Sequence, residues 1–190
     1  YLGLFNNNGF DIIHFEFSGL AVSFLDILNE IKPVTVLSCR GSAEKVKILT
    51  EPNRAEKLAK AFDIIQAIHC VSSDMQNTIQ PYCKTIEKVF VNRPAIDASF
   101  FTPNKQSSGF DGISILSIGR FSFQKGYLIG ILAIKQLVEK GYNIRWNIIG
   151  DGPLLEEIIF HIHALHLENT IILHGKKNKN EVNEWINKSD

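Results

Sequence analysis

The fold is decided by residues 113–150, which read ISILSIGRFSFQKGYLIGILAIKQLVEKGYNIRWNIIG. The stretch opens with an apolar run at 113–118 and closes with a second one at 144–149. Between them, Gly126 to Lys140 carries apolar residues at helical spacing, and Gly141 suits the C-terminal cap of a helix. The pattern therefore predicts a strand, a helix and a second strand in one βαβ unit, and with them a parallel sheet.

The same alternation of short apolar runs and amphipathic stretches fills the rest of the chain, in two successive series. Strands that alternate with helices are typical of parallel sheets, so the sequence predicts an α/β fold with two such sheets. The predicted strands lie at 11–15, 34–38, 64–71, 88–91, 113–118, 144–149 and 170–173, and the predicted helices at 20–31, 51–62, 74–82, 126–140, 154–165 and from 181 onward.

A stretch of different composition separates the two series. Residues 92–112 are rich in Pro, Gly, Asn and Ser, a composition typical of loops and linkers. We therefore predict a first domain at 1–97, a linker at 98–112 and a second domain at 113–190.

The composition excludes several classes of protein. Of the 190 residues 45% are apolar and 21% charged, which is too apolar for a disordered chain. Lys and Arg number 20, as do Asp and Glu, so the formal net charge is zero and no strong basic field points to nucleic acid as a partner. No uninterrupted apolar run reaches the roughly 18 residues that a membrane-spanning helix needs, and no basic-then-apolar leader is present.

The three cysteines, Cys39, Cys70 and Cys83, form no C-x-x-C pair. Cys39 and Cys70 lie in apolar runs, where the simplest interpretation is that they are small buried hydrophobic residues. This spacing argues against a zinc site or a disulfide framework and favours a reduced, cytoplasmic setting.

In open α/β sheets, ligands bind at the carboxyl ends of the strands. The loop after the strand at 113–118 contains Gly119, which permits a tight turn, and two cations, Arg120 and Lys125, ahead of a helix N-terminus. Such a loop could bind a diphosphate, or it could be a solvated loop with two surface cations, and the residues alone leave these alternatives even.

Other candidates are weaker. Gly150-Asp-Gly152 resembles part of a dinucleotide-binding fingerprint, but a lone G-x-G is a weak signal, and we favour an ordinary strand-to-helix turn over a dehydrogenase site. Spacing on the helix argues against a metal site at His161, His163 and His166. Of the histidines in or next to strands, only His14 and His174 fall at carboxyl ends; the chain contains neither G-x-S-x-G nor a P-loop.

Taken in order, these segments resemble the group-one family of retaining glycosyltransferases with the GT-B fold, the family 4 type. The resemblance covers nearly the whole chain, and the ordered set of motifs is more specific than any single motif. In the second series it rests on Ile118-Gly-Arg-Phe with Lys125-Gly126, Ile149-Gly-Asp-Gly-Pro153 and Ile172-Leu-His-Gly175; in the first, on Asp11-Ile-Ile-His14, Ser38-Cys-Arg-Gly-Ser42, Val71-Ser-Ser73, Asn92-Arg-Pro-Ala-Ile-Asp97 and Phe101-Thr-Pro103.

The resemblance implies two Rossmann-like domains and transfer of a sugar from a nucleotide-diphosphate sugar to a glycan or lipid-linked acceptor, with retention, in polysaccharide or glycoconjugate biosynthesis. Arg120 and Lys125 match the family's pair that holds the donor diphosphate, and they are the predicted catalytic residues. Fixed cations can stabilise the charge that develops on a leaving diphosphate, so we expect no cofactor and no obligatory metal. The other implied donor-binding residues are Gly119, Gly150, Gly152, His174 and Gly175.

On the acceptor side the resemblance implies Arg40 and Gly41, although Arg40 stands where many members have His. The family continues beyond the position of Asp190 with an E-x(7)-E motif, and it has a glycine-rich loop before the position of Tyr1. The resemblance therefore implies that both domains are incomplete here and that this fragment alone is inactive.

Three other functions remain open: a sugar-nucleotide epimerase or a phosphorylase of the same fold, or a non-catalytic or degenerate nucleotide-binding module. We expect a cytoplasmic location and no nucleic acid partner. Peripheral contact with the inner face of a membrane and the oligomeric state are left open by the sequence.

Overall fold

In the computed structural model, residues 1–104, 106 and 109–190 are described. By their contacts they form two compact units, Tyr1–Ile96 and Asp97–Asp190. Each unit contains a parallel sheet with helices, which confirms the predicted α/β class.

The first unit contains a four-stranded parallel sheet in the order β1-β2-β3-β4. Strands that follow one another in the chain are therefore neighbours in the sheet, and each connection joins two adjacent strands. The strands are β1 (Ile12–Phe15), β2 (Val34–Cys39), β3 (Ala67–Cys70) and β4 (Val89–Val91), and the helices are α1 (Leu2–Asn6), α2 (Ser18–Ser23), α3 (Ser42–Lys45), α4 (Lys47–Thr50), α5 (Arg54–Ile64) and α6 (Ser73–Ile79).

Alternation along the strands places the core of the first unit against one face of its sheet. Leu37 and Cys39 of β2 are fully buried in the core of the unit, together with Ile68 and Cys70 of β3 and with residues of α5. Since successive side chains of a strand point to opposite faces, Ser38 projects from the other face. All three cysteines are free and buried.

The second unit contains a three-stranded parallel sheet in the order β5-β6-β7. The register pairs Ile113 with Ile144 and Ile118 with Ile149, so β5 and β6 end at the same level. The elements are β5 (Ile113–Ile118), α7 (Tyr127–Glu139), β6 (Ile144–Ile149), α8 (Leu155–Ala164), β7 (Ile171–Leu173) and α9 (Lys179–Asn187).

Helix α7 packs on β6 through an aromatic contact. The rings of Tyr127 and Trp146 are stacked with centroids 6.2 Å apart, and Trp146 Nε1 donates a hydrogen bond of 2.9 Å to Ser117 Oγ. Both rings are buried in the core of the second unit, beside the fully buried Ile131 and Ile148. The hydrogen bond and the packing together hold the indole in one orientation.

The described residues of the stretch predicted as a linker, 98–112, lie within the second unit. The backbone N–H of Asn104 donates to Asn187 Oδ1 and that of Gln106 to the Asn187 carbonyl, at 2.7 and 2.8 Å. These bonds attach the segment to α9. Within this stretch, Lys105, Ser107 and Ser108 lie outside the described residues.

The contact between α7 and β6 predicts the effect of one substitution. A Cβ added at Gly130 would lie 2.4 Å from Cη2 of Trp146, which cannot move aside. Inside a helix, alanine is about 1 kcal/mol more favourable than glycine, but overpacking a core destabilises the folded protein by about 1–3 kcal/mol. We expect Gly130→Ala to lower the free energy of unfolding, measured by urea denaturation followed by circular dichroism.

The exposed Ala133 in the same helix provides the control, because Ala133→Gly measures helix propensity without a packing change. We expect it to be destabilising by about 1 kcal/mol. A gain of stability in Gly130→Ala equal to the loss in Ala133→Gly would contradict the close contact with Trp146.

Candidate functional site

A cavity of about 540 Å³ opens at the carboxyl ends of β5 and β6, within the second unit. Parallel strands place the residues that follow them at one edge of the sheet, where ligands bind in α/β folds. The lining residues are Ile118, Gly119, Arg120, Ile149, Gly150, Asp151, Gly152, Lys176, Lys177 and Val182.

Two loops are joined by backbone hydrogen bonds beside this cavity. The N–H of Gly119 donates to the Ile149 carbonyl at 3.0 Å, and that of Phe121 donates to the Asp151 carbonyl at 2.9 Å. The Phe121 carbonyl accepts from Leu154 at 3.1 Å, and its ring is fully buried. These bonds fix the loop that carries Arg120 against the turn after β6.

Glycine is required on the turn side of this junction. A Cβ on Gly150 would lie 1.9 Å from the Gly119 carbonyl oxygen, and a Cβ on Gly152 would lie 2.5 Å from the Phe121 carbonyl oxygen. Neither backbone oxygen can move without breaking the junction. The G-x-G pattern is therefore a packing requirement here.

The cations around the cavity differ in their partners. Lys176 Nζ lies 3.2 Å from Asp151 Oδ2, and Lys177 Nζ lies 3.0 Å from Glu181 Oε1. A hydrogen bond from the Gly152 N–H, and next the contact with Lys176, lower the pKa of Asp151. Among the described residues, no carboxylate pairs with the exposed Arg120.

Lys125 lies at the end of a 3₁₀ turn, Phe123–Lys125, just before α7. Its Cδ and Cε are 3.8–3.9 Å from the position that a Cβ on Gly119 would occupy, so its side chain runs along the loop after β5. The described residues include no carboxylate within ion-pair distance of its ammonium group. The structure thus brings Lys125 to the loop that carries Arg120, although it is not among the lining residues.

His174 turns away from the cavity lining. Its Nε2 donates to Asn147 Oδ1 at 2.9 Å, and its ring packs on Trp185 with centroids 4.1 Å apart. Burial, and to a smaller degree the charge of Lys177, lowers the pKa of His174. The adjacent Gly175 carbonyl accepts a hydrogen bond of 2.9 Å from the Gly150 N–H, which places Gly175 beside the turn after β6.

In the first unit, Arg40 and Gly41 follow the carboxyl end of β2. The Arg40 guanidinium pairs with Glu16 and lies 5.5 Å from the centroid of the Phe17 ring. The Gly41 N–H donates to Glu44 Oε2 at 3.0 Å. Both residues are therefore held in defined positions in their own unit.

Six of the ten lining residues were not predicted as members of the site: Ile118, Ile149, Asp151, Lys176, Lys177 and Val182. The two lysines lie three and four residues after Leu173, where β7 ends, and this position was the available signal. No group of three or more His, Cys, Asp or Glu side chains that could hold a metal ion occurs within the described part of the chain.

The chain also matches known proteins in sequence. Residues 101–190 match the family model of Glycosyl transferases group 1. WcaL of Escherichia coli (strain K12), provisionally named a colanic acid biosynthesis glycosyltransferase, is 30% identical over 104 residues, or 55% of this chain and 26% of WcaL. The amylovoran biosynthesis glycosyltransferase AmsK of Erwinia amylovora is 22% identical over 179 residues, or 94% of this chain and 44% of AmsK.

Solved structures share the fold. Anabaena Alr3699/HepE, in complex with UDP and glucose, superposes with a TM-score of 0.77 at 15% identity, over 95% of this chain and 51% of that chain. Sucrose-phosphate synthase from Thermosynechococcus elongatus gives a TM-score of 0.78 at 10% identity, over 95% of this chain and 49% of that chain. These likenesses confirm two Rossmann-like domains of the GT-B type.

Residues 101–190 are thus similar to Glycosyl transferases group 1, and the structural neighbours share the fold of the chain. The chain spans about a quarter to a half of the length of these proteins. Within the described residues, no helix is both long enough and apolar enough to cross a membrane.

The surroundings of His174 predict a dependence of stability on pH. Because burial lowers its pKa below the ordinary 6.5, the folded protein prefers the neutral ring, and the unfolded chain binds the proton more readily. The free energy of unfolding should therefore fall as the pH drops below about 6.5. Urea denaturation at a series of pH values measures this slope.

We expect His174→Gln to reduce the slope. An identical slope in the wild type and in His174→Gln would show that His174 keeps an ordinary affinity for protons in the folded state.

Proposed function

We propose that the second unit binds the diphosphate of a nucleotide-diphosphate sugar and that the full-length protein is a retaining glycosyltransferase of the family 4 type, acting on hexosyl donors. The observation that carries this proposal is the cavity at the carboxyl ends of β5 and β6, which Arg120 lines with no carboxylate partner among the described residues. A diphosphate suits such a site, because a guanidinium donates strong, charge-assisted hydrogen bonds to phosphate oxygens.

The free cations supply the chemistry. During transfer the bond between the anomeric carbon and the diphosphate oxygen breaks, and its electron pair passes to the diphosphate. The acceptor hydroxyl oxygen forms the new bond to the anomeric carbon, and its proton passes to an oxygen of the leaving diphosphate. Arg120 and Lys125 would stabilise the charge that the leaving diphosphate gains, since neither is neutralised by a carboxylate among the described residues.

The nucleotide end of the donor would lie toward Gly150, Gly152 and Gly175. Lys176 and Lys177 line this part of the cavity. The HepE structure supports the assignment, because that protein of the same fold was solved with UDP-glucose. His174 would act indirectly, by holding the strand end before Gly175 through Asn147.

The relatives support a biological setting. WcaL and AmsK carry names that place them in colanic acid and amylovoran biosynthesis. We propose that this protein likewise builds a polysaccharide or glycoconjugate on a glycan or lipid-linked acceptor, with Arg40 and Gly41 on the acceptor side. We further propose a cytoplasmic location.

The assigned roles of the two cations can be tested in the full-length protein. Arg120→Ala and Lys125→Ala should each lower kcat by about 10²–10³-fold, or about 2.7–4 kcal/mol of activation free energy. Both should also reduce the rise in melting temperature that UDP produces, because binding to the folded state stabilises it. Lys140→Ala, an exposed lysine beyond the other end of α7, is the matched control.

The outcomes separate the alternatives. Unchanged turnover in both variants would reject the assigned roles. Stabilisation by UDP that depends on Arg120, without any sugar transfer by the full-length protein, would indicate a nucleotide-binding module instead.

We propose that the reaction needs no metal, because Arg120 and Lys125 supply the positive charge at the diphosphate. Turnover of the full-length protein should then be the same in EDTA and in added Mg²⁺ or Mn²⁺. Loss of turnover in EDTA that is restored by either ion would overturn this part of the proposal.

A further inference from the structure

A line of hydrogen-bonded side chains crosses the face of the first sheet that bears Ser38, and the proposed function uses none of it. His14 Nε2 lies 2.8 Å from Ser38 Oγ, and Ser38 Oγ lies 2.8 Å from His69 Nδ1. His69 Nε2 lies 2.8 Å from the carbonyl oxygen of Asn92. Ser38 is fully buried, so its hydroxyl depends on these two partners.

The chemistry of the groups fixes the direction of the line. A carbonyl oxygen only accepts, so His69 carries its proton on Nε2, and its Nδ1 accepts from the Ser38 hydroxyl. The Ser38 oxygen is then left to accept from Nε2–H of His14. The lone pair of neutral His14 must therefore lie on Nδ1, at the other end of the line from Asn92.

This end of the line is open to solvent. His14 Nδ1 lies 3.6 Å from Glu16 Oε1, which is longer than a hydrogen bond, and both atoms accept when His14 is neutral. The other carboxylate oxygen of Glu16 is held by Arg40. The side chains of His14, Glu16 and Arg40 are 39%, 52% and 38% exposed, so a ligand can reach all three.

These three groups combine two neighbouring acceptors with a fixed donor. A hydroxyl group both donates and accepts, so the two hydroxyls of a vicinal diol can donate to His14 Nδ1 and Glu16 Oε1 and accept from Arg40. A carboxylate ligand would face two acceptors, and an amine would face the guanidinium charge. The arrangement therefore favours a polyhydroxylated ligand over a charged one.

We propose that His14, Glu16 and Arg40 form a binding site for a sugar residue on the first unit, with Ser38 and His69 as positioning residues. The identification of this sugar as part of the acceptor rests on the proposed function; the site itself does not. The line cannot pass a proton onward, because it ends on the Asn92 carbonyl. Its effect is to hold the His14 ring in the tautomer that offers Nδ1 to a hydroxyl.

The test uses the full-length protein with ¹⁵N-labelled histidine, followed by NMR. The probes are methyl α-D-glucopyranoside, methyl α-D-galactopyranoside and methyl α-D-mannopyranoside, titrated at high millimolar concentration. We expect the Nε2–H tautomer for His14 and His69 at neutral charge, and a shift of the His14 Nδ1 signal with at least one glycoside.

Three variants sharpen the test. In His14→Gln the amide can keep the hydrogen bond to Ser38 but lacks the acceptor at Nδ1, so the affinity for the glycoside should fall at least tenfold. In Ser38→Ala the His14 ring should populate both tautomers and bind the glycoside more weakly, whereas a purely structural serine would leave the tautomer unchanged. His163→Gln, on α8 of the second unit, should change neither signal nor affinity.

The proposal is overturned if His14 carries its proton on Nδ1, if no glycoside shifts its signal, or if His14→Gln binds as tightly as the wild type. Stabilisation by UDP is measured in the same samples and should persist in His14→Gln. Failure of UDP to bind would count against the proposed function, whereas loss of the glycoside response alone would count against this site.

Discussion

The second unit depends on a short backbone junction between the loop after β5 and the turn after β6. The Phe121 N–H and carbonyl bond to the turn on both sides of Gly152, and Gly150 lies directly against the Gly119 carbonyl. Two chain segments can approach this closely only where no side chain stands between them. The junction therefore both closes the core over the Phe121 ring and places Arg120 at the mouth of the cavity.

The parallel sheets explain why polar chemistry gathers at one edge in each unit. Because β5 and β6 are paired in register and end together, the residues after them form one rim. In the first unit β1 and β2 likewise bring Glu16 and Arg40 to neighbouring strand ends, where they pair. In each case strands far apart in the sequence supply one site, and no single segment contains it.

Much of the fold could be predicted, because apolar runs and helical spacing are local properties. The helix predicted over 20–31 was wrong: α2 ends at Ser23, and a 3₁₀ turn follows at Leu28–Glu30. Packing explains the break, because the Phe24 ring turns inward against Phe5 and Phe15. Spacing cannot reveal a contact of this kind, since the residues that make it lie in three different segments.

The directions of side chains around the cavity could not be predicted from the sequence either. The sequence places His174 at a strand end, but Asn147 and Trp185 draw its ring into the unit. Lys176 and Lys177 show the opposite case: their lysine-rich segment indicates only a charged surface, yet both side chains belong to the cavity. They line the cavity because β7 ends beside β6. Motifs locate the backbone of this site, whereas partners elsewhere in the chain decide which side chains face it.

Charge balance shows the same distinction between composition and arrangement. The chain has 20 basic and 20 acidic residues, so its net charge gives no indication of an anion site. Lys176 and Lys177 are paired with Asp151 and Glu181. Arg120 has no such partner among the described residues, and it stands where the two loops meet. An anion would be bound here by the cation that has no carboxylate partner nearby. A chain with zero net charge can provide such a cation as well as a basic chain can.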